Sequence, residues 1–115
     1  MTDIDEGGLV FFRTEAHDEV VDFYTTRLDA TVWLSQPDCT ILDHRGFGFG
    51  FCARDGAETQ GTLTFVVPAR AAVDAAFGRL EDRARDRPHY NETYGIYQFF
   101  ASDPEGRTVE VQSFE

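Results

Sequence analysis

The sequence contains no lysine. Its ten cations are all arginines, set against 21 carboxylates in 115 residues, for a net charge of −11. Phosphate binding needs neutralising cations, so this balance disfavours nucleic acid as a partner. Long apolar runs are also missing. No stretch approaches the ~18 residues of a membrane-spanning helix. The opening Met-Thr-Asp-Ile-Asp-Glu is acidic with no apolar run behind it, unlike a secretion signal. These absences predict a cytoplasmic protein with neither nucleic acid nor membrane as partner. Cysteine is scarce as well. Cys39 and Cys52 make no disulfide framework and match no zinc spacing. In strand-like sequence each reads as a reduced, buried thiol, a small hydrophobe. The acids are spread along the whole chain. They read as the solvated surface of a protein adapted to a salt-rich interior, where screening cancels self-repulsion.

Hydrophobic residues make up 42% and aromatics 14%, enough for one core. The order of elements repeats. A Phe-rich strand from Leu9 to Thr14 feeds a helix over residues 15–28, with Ala16, Val20, Tyr24 and Leu28 on one face and Thr14 as its cap. Three strands follow, punctuated by Pro37-Asp38 and His44-Arg45-Gly46. A polar linker over about 54–61 separates a first module of about 8–53 from a second of about 62–115. The second begins with a strand from Thr62 to Val67 and a helix over residues 69–85. A weak strand near His89 and two strong ones, from Gly95 to Ser102 and from Arg107 to Phe114, complete it. A half of this size has too little core to stand alone, so the two modules form one domain.

Alternation assigns the strand faces. If helices cover the more continuously apolar faces, the opposite set comprises Leu9, Phe11, Arg13, Thr62, Thr64, Thr108, Glu110 and Gln112. Asp103-Pro104-Glu105-Gly106 reads as a type I turn with a left-handed Gly106 forming a bulge. That register sets Phe100 opposite Glu110 and Gln98 opposite Gln112. Phe47-Gly48-Phe49-Gly50-Phe51 has two readings: a face that a ligand approaches closely, or glycines packed on neighbouring backbone with the Phe face in the core.

The final hairpin, with its Asp-Pro-Glu-Gly turn and Glu110, resembles that of the vicinal oxygen chelate superfamily, the group of glyoxalases, extradiol dioxygenases and bleomycin-binding proteins. Val20-Val21-Asp22-Phe23-Tyr24 followed by Leu28 resembles its first helix. The resemblance implies an α+β fold of two paired βαβββ modules, a curved mixed sheet around a pocket, and a homodimer. It also implies metal ligands on four strands. At the matching places stand Leu9, the segment Phe49 to Phe51, Thr62 and Glu110, so only Glu110 is a usual ligand. No metal or other cofactor is therefore expected. His17 in the first helix, His44 in a turn and His89 in a loop read as surface residues that do not repair the site.

Two functions are compatible with these residues. One is a small-molecule-binding protein of the bleomycin-resistance type, with Phe11, Arg13, Trp33, Thr62, Thr64, Gln98, Phe100, Glu110 and Gln112 as contacts. The other is a glyoxalase- or dioxygenase-like enzyme, a lyase or isomerase, using Glu110 as catalytic base or within a non-standard metal site. If buried, Glu110 is alternatively a charge satisfied by Arg13 or Gln98.

Overall fold

A computed structural model describes residues 7–115, so the reading of the first six residues lies outside it. The chain divides into two compact units, Met1–Thr59 and Gln60–Glu115. The first carries β1 (Leu9–Thr14), α1 (His17–Arg27), β2 (Thr31–Ser35), β3 (Cys39–His44) and β4 (Phe47–Ala53). The second carries β5 (Thr62–Val66), α2 (Arg70–Leu80), β6 (His89–Asn91), β7 (Ile96–Ser102) and β8 (Thr108–Phe114). Each unit is a βαβββ module, and the fold class is α+β as predicted. The sheets run β1-β4-β3-β2 and β5-β8-β7-β6, with the first strand of each module parallel to the last. No helix among the described residues is long and apolar enough to cross a membrane.

Both helices are shorter than predicted. α1 begins at His17, and Ala16 rather than Thr14 precedes its first turn; the Thr14 hydroxyl accepts instead from the Ala16 N–H at 3.0 Å. α2 stops at Leu80 and tightens into a 3-10 turn over Glu81–Arg83, because the chain must leave the helix to bring Arg85 to the Phe100 carbonyl. The apolar stripes behave as their spacing requires. Tyr24 of α1 is fully buried, stacks on Phe51 at 5.3 Å and meets Phe49 edge-on at 5.3 Å. Phe77 of α2 meets Phe99 edge-on at 5.4 Å. Burying each such ring contributes about 1.5–3 kcal/mol. Phe12, Phe49, Phe51 and Phe99 thus mark the helix-covered faces, and their strand neighbours point the other way.

The glycine-rich strand β4 has a specific reason for one of its glycines. A Cβ on Gly50 would lie 2.7 Å from two ring atoms of Phe11, its partner on β1. The phenylalanine face of β4 is core, and Gly50 leaves room for a side chain rather than for backbone.

Cys39 and Cys52 are joined by a disulfide, which corrects the reading of two free thiols. The cause is register. β3 and β4 turn over Arg45 and Gly46, both with positive φ (52° and 94°), so His44 pairs with Phe47. Counting equal steps from that pair sets Cys39 opposite Cys52. The same hairpin corrects His44, which is the last residue of β3 and only 8% exposed. Burial and the neighbouring Arg45 hold its pKa below the ordinary 6.5. His17 is also more engaged than predicted: its ring bonds Asp18 at 2.8 Å and Thr40 at 2.9 Å. His89 opens the short edge strand β6 instead of lying in a loop.

Candidate functional site

The β7–β8 turn sets the geometry of the second unit. Gly106 adopts φ 89°, its N–H donates to the Asp103 carbonyl at 2.9 Å, and the Asp103 N–H donates to the Arg107 carbonyl at 3.0 Å. The turn is locked from inside by Arg107, which is fully buried. Its guanidinium lies 3.1 Å from the Asp103 carboxylate and 2.9 Å from that of Glu105. The resulting register pairs Phe100 with Glu110 and Gln98 with Gln112, as the bulged turn predicts. β5 adds Thr64 beside Glu110 and Thr62 beside Thr108. Thr62, Thr64, Gln98, Phe100, Glu110 and Gln112 therefore share the face turned away from α2.

At its centre is a directional hydrogen-bond network. The Thr64 hydroxyl donates to Glu110 Oε1 at 2.8 Å, and the Gln98 amide donates to Glu110 Oε2 through a short bond. Gln98 Oε1 in turn accepts from Asn91 Nδ2 at 2.8 Å. Each donor points toward the carboxylate, which is half-buried. An amide flipped the other way would set oxygen against oxygen, so the Glu110 charge orients both Gln98 and Asn91. Gln98 itself is 3% exposed and is held by this chain of bonds.

Asn91 was missed by the sequence reading. A signal existed, because Asn91 lies two residues along β6 from His89, which pairs with Gln98, and alternation carries it to the same face. The edge strand is only three residues long, too short to show a period of its own.

The remaining predicted contacts belong to the first unit. Phe11 and Arg13 share the face of β1 turned away from α1, and Phe11 is 47% exposed. The Arg13 guanidinium is engaged within the first unit. It lies 3.6 Å from the Glu58 carboxylate, and its Nε donates to the Gly56 carbonyl at 3.2 Å. The 54–58 segment folds back onto β1, which explains this pairing: the Glu58 N–H donates to the Arg13 carbonyl and the Gly56 N–H to Glu15. Trp33 stands at an irregularity in β2 between Val32 and Leu34, without a register partner on β3. A cleft of about 520 Å³ opens in this unit, lined by Thr14, Glu15, His17, Ala53, Arg54 and Asp55. None of the predicted contact residues lines it.

No protein-family model matches the sequence, and no protein of curated function does so either. Solved structures do match. A glyoxalase/bleomycin resistance protein/dioxygenase family enzyme from Burkholderia phytofirmans superposes with a TM-score of 0.81 at 18% identity, over 93% of this chain and 97% of that one. The chain has the glyoxalase-like fold. Lactoylglutathione lyase from Agrobacterium tumefaciens gives a TM-score of 0.75 at 20% identity, over 91% and 90% of the two chains. A glyoxalase-related enzyme from Fulvimarina pelagi gives 0.77 at 13%, over 92% and 86%. Among the described residues no three His, Cys, Asp or Glu side chains gather around a point where one ion could sit.

Proposed function

We propose that this chain is a small-molecule-binding protein of the glyoxalase/bleomycin-resistance type, which holds its ligand against the Glu110 face. The observation that carries this reading is the Glu110 carboxylate, fixed by one donor on each oxygen. An ionised carboxylate has about four acceptor sites, so two hydrogen bonds leave others for a ligand. Since the surrounding protein groups donate inward, a ligand must also donate. An ammonium, amidinium or amide N–H meets that requirement with a charge-assisted bond, and a carboxylate or phosphate does not. Phe100, paired with Glu110 on the same face, adds an apolar surface beside it.

The metal implied by the fold does not suit this donor set. Thr64 and Gln98 direct hydrogens at the oxygens a cation would need, while Leu9 and Thr62 offer no nitrogen, sulfur or carboxylate. The enzyme reading, with Glu110 as base, is the alternative on the same residues. A cytoplasmic homodimer adapted to high salt completes the proposal, on the strength of the acidic composition and of the pairing habit of this fold.

The test is a matched set of probes: benzylammonium, benzyl alcohol and benzoate, each titrated while amide resonances are followed by NMR. Benzylammonium is expected to perturb Thr64, Gln98 and Glu110, and E110Q to weaken it about tenfold, the ~1.4 kcal/mol of one charge-assisted bond. Absence of any response on this face, or a preference for benzoate, overturns the reading.

A further inference from the structure

The Cys39–Cys52 disulfide lies outside the Glu110 network and has no part in the proposed binding. We propose that it is a reversible thiol–disulfide exchange site, attacked at Cys52 by low-molecular-weight thiols in the folded protein. Three observations bear on this.

The bond joins opposite residues of two strands that are held together without it. β3 and β4 share six consecutive pairs, and the Phe49 and Phe51 rings anchor β4 on the other face. At the cysteine end, the Ala53 N–H donates to the Asp38 carbonyl and the Gln36 N–H to the Cys39 carbonyl, both at 2.8 Å. Arg54 forms a close ion pair with Asp38, so the residues flanking the two cysteines are bridged independently of sulfur. Breaking the S–S bond leaves this frame in place, and the two sulfurs remain close enough to rejoin.

The two cysteine residues differ in exposure. Cys39 is 9% exposed, whereas Cys52 is half-buried on the sheet face turned away from α1. A nucleophile reaches Cys52 first. This end of the sheet also carries two arginines, each ion-paired, Arg13 with Glu58 and Arg54 with Asp38. Arg13 is the β1 partner of Cys52, and Arg54 follows two positions after it.

The chemistry balances as ordinary exchange. An external thiolate bonds to Cys52 Sγ, the S–S bond breaks, and Cys39 leaves as thiolate. A second external thiolate then attacks the external sulfur of the mixed disulfide, forming the external disulfide and releasing Cys52. Two external thiols are oxidised, and the protein takes up two electrons and two protons. The reverse reaction uses the external disulfide as oxidant.

The experiment exposes the full chain, under native conditions, to graded ratios of reduced and oxidised dithiothreitol. Iodoacetamide quenching and intact mass count the free sulfurs, and circular dichroism follows the fold. Conversion to two alkylated sulfurs with the spectrum retained, and recovery of the bond in oxidised dithiothreitol, is the expected result. C39S and C52S variants are then treated with oxidised glutathione. Cys52 in C39S should form the mixed disulfide several-fold faster than Cys39 in C52S. A bond that resists excess dithiothreitol until urea unfolds the chain, loss of structure on reduction, or equal rates at the two cysteines overturns the proposal.

Discussion

Phe11 and Gly50 are packed as a complementary pair: the ring of one occupies the volume that a Cβ on the other would need. Because the obstructing atoms belong to a side chain, they can shift at a cost. G50A is expected to lower stability by about 1–2 kcal/mol in urea titrations. In an F11A background the same substitution should cost close to nothing, so the double-mutant cycle should show strong coupling. Additive effects would mean that the nearby Thr40 carbonyl, 3.3 Å from the same point, is the real obstacle.

Arg107 is the interior counter-charge of the β7–β8 turn. Replacing it by methionine removes the guanidinium and leaves the fully buried Asp103 carboxylate without its cation. A loss of about 3–5 kcal/mol is expected by chemical denaturation. Since the turn also sets the Phe100–Glu110 register, the NMR response to benzylammonium should weaken in R107M. A substitution that leaves the urea midpoint unchanged would show that the ion cluster contributes nothing net.

His44 makes stability depend on pH. Its folded pKa lies below the ordinary 6.5, so the unfolded chain binds more protons as pH falls through that value. The stabilisation from a neutral His44 is complete above the unfolded pKa. It is lost progressively as pH drops toward the folded one. Between about pH 7.5 and about pH 5.5, wild type should lose more stability than H44Q. Parallel curves would contradict the assignment.

With a net charge of −11, unscreened carboxylate repulsion should destabilise the chain in dilute buffer. Molar potassium chloride is expected to raise the melting temperature on the order of 5 °C or more. Equal melting temperatures would remove the case for a high-salt adaptation.

The pairing of Phe100 with Glu110 and of Gln98 with Gln112 was legible in the sequence because Asp-Pro-Glu-Gly admits few turn geometries, and one residue of slip would have mixed polar and apolar faces. The same reasoning was available for the disulfide. Arg45-Gly46 as a two-residue turn puts Cys39 opposite Cys52, but reading His44-Arg45-Gly46 only as punctuation left the register unassigned. The Arg13–Glu58 contact was less accessible. It depends on how the 54–58 segment folds back, and polar linker sequence carries no periodicity from which to infer a path. The helix ends moved inward for a related reason, since apolar spacing continues past the point where a tertiary bond takes the backbone elsewhere.

The interruption at Trp33 bears on how concentrated copies of this chain behave. β2 is an outer strand of its sheet, and Val32, Trp33 and Leu34 are 51%, 36% and 43% exposed. Three consecutive apolar residues on a flat edge would offer a template for intermolecular strand addition, the first step of aggregation. The irregularity breaks the repeat within that segment, so a second strand laid along it falls out of step midway. An irregular edge of this kind works against the growth of fibres.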